Sequence, residues 1–97
     1  MYTRMMTIHT LPNRLEQGVR IFRESIVPAI AARTGFQGFF MLVNRENQEI
    51  VIISLWDTNA NRLASERDGF IDQQLAKLTT ILREQPFGNI YDLELMS

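Results

Sequence analysis

The stretch from Gly35 to Trp56, GFQGFFMLVNRENQEIVIISLW, constrains the fold more than any other part of the chain. It holds two apolar runs, Phe36 to Val43 and Ile50 to Trp56, on either side of the polar segment Asn44 to Glu49. Both runs are rich in β-branched and aromatic residues and too short for an ordinary helix, so the pattern predicts a two-stranded hairpin. A tight turn near Glu46 and Asn47 then sorts the side chains onto two faces, because successive strand residues point to opposite sides. One face carries Phe36, Gly38, Phe40, Leu42, Val51, Ile53 and Leu55. The other carries Gln37, Phe39, Met41, Val43, Ile50, Ile52, Ser54 and Trp56. Neither face is polar enough to be left in water. The first, wholly apolar, is expected to meet helices; the second, with Gln37, Ser54 and Trp56 as polar handles, needs another cover.

The flanking segments read as alternating strands and helices. Tyr2 to Thr10 is a strand, with Met6 and Ile8 on one face and Met5, Thr7 and His9 on the other. Leu11 and Pro12 end it, and Asn13 with Glu16 offers a capping-box start to a helix. Leu15, Val19, Phe22, Ile26 and Ile30 form one stripe of that helix. Gly18 weakens it, and Pro28 cannot donate to the carbonyl of Glu24, which predicts a kink or restart. Gly35 closes the helix and opens the hairpin. After Trp56, Asp57 is the expected N-cap of a polar helical region from Thr58 to Arg67, anchored by Leu63 and broken at Gly69. Ile71, Leu75, Leu78 and Leu82 predict a further helix that Pro86 and Gly88 stop. The last strand is expected from Asn89 to Met96, with Tyr91, Leu93 and Leu95 alternating against Asp92 and Glu94. The order βαββαβ predicts one α+β domain over residues 1–97, a ferredoxin-like split βαβ with a four-stranded antiparallel sheet.

Two helices cover one face of such a sheet and no more. The other face, with Phe39, Met41, Val43, Ile50, Ile52 and Trp56, is larger than a soluble monomer usually exposes. A second copy placed sheet to sheet satisfies it, so a homodimer is expected. The 97 residues bury roughly 60–65% of the unfolded surface, which is marginal for a lone chain. A net charge of −1 with interspersed signs gives no footprint for nucleic acid or an anionic membrane. Without cysteine, thiolate nucleophiles and cysteine zinc sites are excluded, and with a single histidine a metal site would have to be carboxylate-rich or shared between chains; none is expected. No apolar run approaches the ~20 residues of a membrane span and the N-terminus lacks a signal-peptide core, so a cytoplasmic protein is expected.

The segment Pro28 to Thr58, PAIAARTGFQGFFMLVNRENQEIVIISLWDT, resembles the antibiotic biosynthesis monooxygenase-like domains of the dimeric α+β barrel superfamily. The matching features are a helix ending in Gly35-Phe36-Gln37-Gly38, a polar hairpin turn, and a strand ending in Ser54-Leu55-Trp56-Asp57. The resemblance runs the length of the chain. It implies a dimeric α+β barrel and, among its members, cofactor-free oxygenases of quinol-like or polyketide aromatics as well as haem-degrading enzymes. Haem-degrading members place an Asn on the first strand and a Trp and a His on the second helix. Here His9 lies near the first position and no Trp or His follows Trp56, which argues against haem degradation.

Each candidate residue has a functional and a plain reading. His9, expected on the face of Ser54 and Trp56, is the candidate catalytic base, because histidine is the side chain that titrates near neutrality; its plain reading is a strand-end histidine bonded to backbone. Gln37, Ser54 and Trp56 are candidate donors that position a ligand, with Phe39 and Met41 as its apolar wall; the plain reading of Trp56 is a core anchor. Asp92 and Glu94 would orient His9 or simply be edge carboxylates. Arg62, Glu66, Arg67 and Asp68 read as a solvated face. Two functions follow. One is a monooxygenase-like protein needing no cofactor or metal, which holds a small flat aromatic or quinol-type anion for reaction with dioxygen. The other is a non-catalytic homodimeric module of the same fold that binds a small apolar ligand or regulates a partner.

Overall fold

A computed structural model describes residues 1–97. Strands β1 (Tyr2–His9), β2 (Phe36–Asn44), β3 (Glu49–Trp56) and β4 (Phe87–Asp92) form one antiparallel sheet in the order β2-β3-β1-β4. Between β1 and β2 run α1 (Leu15–Ile21), a π-helical turn (Phe22–Ile26) and α2 (Val27–Ala31). Between β3 and β4 run α3 (Asn59–Arg67), α4 (Phe70–Ala76) and a 3₁₀ turn (Thr79–Ile81). This is the α+β ferredoxin-like plan. No helix is long and apolar enough to cross a membrane.

The hairpin has the expected register: Gly38 pairs with Leu55, Phe40 with Ile53 and Leu42 with Val51. The two faces, however, are exchanged. Ile50, Ile52 and Trp56 lie in the core with Leu15, Val19, Phe22, Ile26, Ile30, Leu78 and Ile81, and Phe39, Met41 and Val43 pack against it. Phe40 and Leu42 stand open at 52% and 56% exposure. The pairing of β1 explains the exchange. Met6 faces Ile52 and Ile8 faces Ile50, whereas Thr7 faces Val51 and His9 faces Glu49. The apolar side of the central β1 therefore lies with Ile50 and Ile52, and the helices bury that side. Phe36 also changes sides. A bulge between Phe36 and Gly38 pairs Phe36 with Trp56, edge-on at 6.1 Å between ring centroids, and leaves the extra residue Gln37 exposed.

The helical stripe from Leu15 to Ile30 is buried as expected. Asn13 does not cap it: its φ of 66° turns the chain left-handed, and Arg14 is the N-cap without a side-chain bond. Ahead of Pro28 the helix widens, with the Val27 N–H reaching the carbonyl of Phe22, and α2 restarts with Pro28 in its first turn. Thr58, not Asp57, caps α3, its Oγ1 accepting from Asn61 N at 3.1 Å. Leu63 is only half-buried; Arg62 and Ser65 are the inward residues of α3. Gly69, with φ +76°, turns the chain into α4. The expected helix from Ile71 to Leu82 stops at Ala76, and Leu82 bridges to Thr10 instead. Strand β4 begins two residues early and takes in Gly88, while Leu95 and Met96 lie beyond its end, 84% and 72% exposed.

Candidate functional site

Helix α4 ends at Ala76, short of the expected Leu82. A cavity of about 570 Å³ opens there, between β1, β4 and α4. Met6, Gly88 and Ile90 line it from the sheet, Ile71 and Leu75 from α4, and Pro86 from the segment before β4. That volume lies in the range of small-molecule sites. Gly88 has a steric duty in this floor, because a Cβ at that position would collide with the Met5 carbonyl. Beneath the cavity, Arg4, Met6, Ile71 and Leu75 also line a void of about 20 Å³ that Phe39 and Ser54 help to close.

One buried charge cluster borders the cavity. Arg4, 7% exposed, points under α3. Its Nε donates to Glu66 Oε1 at 3.2 Å, and its Nη2 donates to Ser65 Oγ at 2.9 Å and to the Arg62 carbonyl at 3.2 Å. Arg62, 5% exposed, donates from Nη1 to the same Glu66 Oε1 at 3.1 Å and from Nη2 to Asn59 Oδ1 at 2.7 Å. One carboxylate oxygen therefore sits between two guanidinium groups. Burial lowers the Arg4 pKa from its ordinary value, against the hydrogen bond and charge of Glu66; Arg62 lowers it further. Arg62 and Glu66 are thus not part of a solvated face, because α3 packs them down onto β1. Arg4 Nη1 has no partner in the protein and is not sealed off: the buried polar atoms left orphaned are His9 Nδ1 and Gln48 Oε1. Arg4 is among the residues that line the cavity.

No protein-family model matches the chain, and no curated protein matches it. Solved structures do. A protein of unknown function from Nitrosomonas europaea superposes with a TM-score of 0.80 at 16% identity, covering 99% of this chain and 91% of that one. An antibiotic biosynthesis monooxygenase superposes with a TM-score of 0.74 at 13% identity, covering 98% and 100%. A variant of SnoaB, a cofactor-independent oxygenase from Streptomyces nogalater, gives 0.74 at 15% identity, covering 98% and 95%. The chain has the antibiotic biosynthesis monooxygenase-like fold. At these identities the likeness is one of fold.

Within the antibiotic biosynthesis monooxygenase-like fold, the sheet divides the residues expected to form one site. Ser54, Phe39, Met41 and Trp56 are on the helix side; His9 is on the open side, opposite Glu49. Trp56 is fully buried and its indole N–H donates to Ser54 Oγ at 2.9 Å, an anchor rather than a cavity wall. Phe39 and Ser54 line the small void, Met41 packs against the core, and Gln37 is in the exposed bulge. His9 Nε2 donates to Glu49 Oε2 at 3.0 Å, and Nδ1 lies 3.0 Å from Glu84 Oε1 without a hydrogen bond. Asp92 is opposite Tyr2, at the far end of β1 from His9, and Glu94 follows the strand. Arg4 escaped the sequence reading, although a charged residue on the side of Met6 and Ile8 was a signal in itself, since an inward arginine needs partners.

Proposed function

We propose that this chain is a cytoplasmic, homodimeric monooxygenase-like protein that takes a small flat aromatic or quinol-type compound in the cavity beside Arg4. The observation that carries the reading is the cavity itself, about 570 Å³, with an apolar wall of Met6, Ile71 and Leu75, a polar remainder that includes Glu66 and Asp72, and Arg4 as its one cation. The fold it shares with a cofactor-independent oxygenase supports the reaction class. An acidic aromatic with a methylene between its rings loses a proton to water at the cavity mouth. Arg4 holds the resulting oxyanion, and the apolar wall of Met6, Ile71 and Leu75 keeps bulk water off the ring. Dioxygen accepts electrons from that anion and bonds to the ring carbon. One oxygen atom remains as the new carbonyl and the other leaves as water, with the substrate as the sole electron donor. His9 is outside this cavity. The homodimer is assigned to the open sheet face, where Phe40, Leu42, Phe87 and Tyr91 are each about half exposed.

Oxygen uptake with a hydroxylated anthrone tests the reading. Uptake should exceed the spontaneous rate, and Ala76→Trp, which fills the cavity from α4, should reduce it by about 10-fold or more without lowering the melting temperature. Uptake no faster than without protein, for every anthrone and quinol tried, would favour the second reading, a non-catalytic binding module. A specific observation stands behind that alternative. Glu66 is held between Arg4 and Arg62, so the cavity's remaining acid is Asp72 on the exposed side of α4.

A further inference from the structure

We propose that Arg4 selects a singly charged aromatic anion, seating one anionic oxygen on Nη1 while the ring lies against Met6, Ile71 and Leu75. The inference rests on the cavity being the ligand site and adds the charge class of what it takes. Three features lead to it. Arg4 and Arg62 share a single carboxylate, so the contact group of Arg4, Arg62 and Glu66 keeps one positive charge. Arg4 is 7% exposed, and a charge so placed attracts an anion more strongly than one at a surface. Nε and Nη2 are already committed to Glu66, Ser65 and the Arg62 carbonyl, which leaves Nη1 as the free donor.

The commitment of two nitrogens also limits the geometry. A guanidinium grips a carboxylate with both oxygens only when two of its nitrogens are free on one edge. Here one is free, so the site takes one oxygen, as a phenolate or one arm of a carboxylate offers. Glu66 and Asp72 also line the cavity. With Glu66 held between the two guanidinium groups, Asp72 is the carboxylate left to repel a second negative charge, which favours a monoanion over a dianion.

The test is calorimetric titration of the intact protein at neutral pH with 2-naphthoate and its neutral isostere 2-naphthamide. Naphthoate should bind about 10-fold or more tightly than the amide, the scale of one charge-assisted hydrogen bond. Arg4→Gln should abolish that preference by weakening naphthoate alone, and Arg4→Lys should restore part of it. Should Arg4→Gln fail to fold, Glu66→Gln carries the test. It leaves Arg62 in place, frees more of Arg4, and should tighten naphthoate binding without affecting the amide. Equal affinity for the two compounds, or a preference that survives Arg4→Gln, would overturn the inference and leave the cavity reading intact. Absence of binding by both compounds would bring down both. Naphthoate preference without oxygen uptake would leave the anion site standing and move the protein to the binding-module reading.

Discussion

Replacing Leu42 by glutamate should break the proposed dimer while leaving the protomer folded. Leu42 lies on β2, on the open face, and is 56% exposed. It pairs with Val51, and Phe40 beside it pairs with Ile53, so the substitution falls within an apolar patch. Covering the exposed half of a leucine is worth about 1 kcal/mol. A carboxylate in its place would be buried without a partner, which adds at least about 1 kcal/mol more. A two-fold axis repeats the loss in the second protomer, so the total is about 4 kcal/mol, or close to 10³-fold in the dissociation constant. Sedimentation velocity across the micromolar range should show wild type as a dimer and Leu42→Glu as a monomer. Leu63→Glu, on the outer stripe of α3 with Ala60, Ala64 and Arg67, should sediment as wild type. A Leu42→Glu variant that sediments with wild type, or a wild type that is a stable monomer at those concentrations, would refute a dimer through this face. Ile52→Glu serves as the contrast. Ile52 is in the helix-side core, so that variant should unfold rather than dissociate.

Two further substitutions probe the frame around the cavity. Gly88→Ala places a Cβ against the Met5 carbonyl and must displace β4 from β1, so chemical denaturation should show a loss of about 3 kcal/mol or more together with loss of ligand binding. Asp68, bonded first to Arg33 and then to the Phe70 N–H, has a pKa below the ordinary 3.8. Its depressed value contributes stability that is present above pH 3.8 and lost as pH falls through the lower folded value. Asp68→Asn should therefore flatten the acid limb of stability measured below pH 3.8 and leave its slope near neutrality unchanged.

The hairpin and its register were legible because a polar turn separates two β-rich runs, and the pairs of Gly38, Phe40 and Leu42 follow from that symmetry alone. The choice of faces was not. Phe40, Leu42, Val51 and Ile53 are as apolar as Phe39, Met41, Ile50 and Ile52, so a two-residue period defines the two faces without saying which one the helices take. The deciding information sat in β1, where Met6 and Ile8 alternate with Thr7 and His9. It became usable only once Met6 was known to face Ile52. The pattern of the sequence groups His9 with Ser54 and Trp56, whereas the pairing of β1 with β3 sets it opposite Glu49. The charge cluster was illegible for a different reason. Arg4 meets Arg62, Ser65 and Glu66 across some sixty residues of chain, as the separations of 58, 61 and 62 positions record, and no local pattern announces such a pairing. The restart at Pro28 was local chemistry, and it was read correctly from the missing N–H.

Where a ligand sits is the central question, and mapping backbone amide shifts during titration with 2-naphthoate answers it most directly. Perturbations should fall at Arg4, Met6, Ile71, Leu75 and Asn89 around the cavity, with Phe40, Leu42 and Val51 on the open face unmoved. Perturbations confined to that open face and to His9, with the amides of β1 and α4 around Arg4 silent, would contradict that placement.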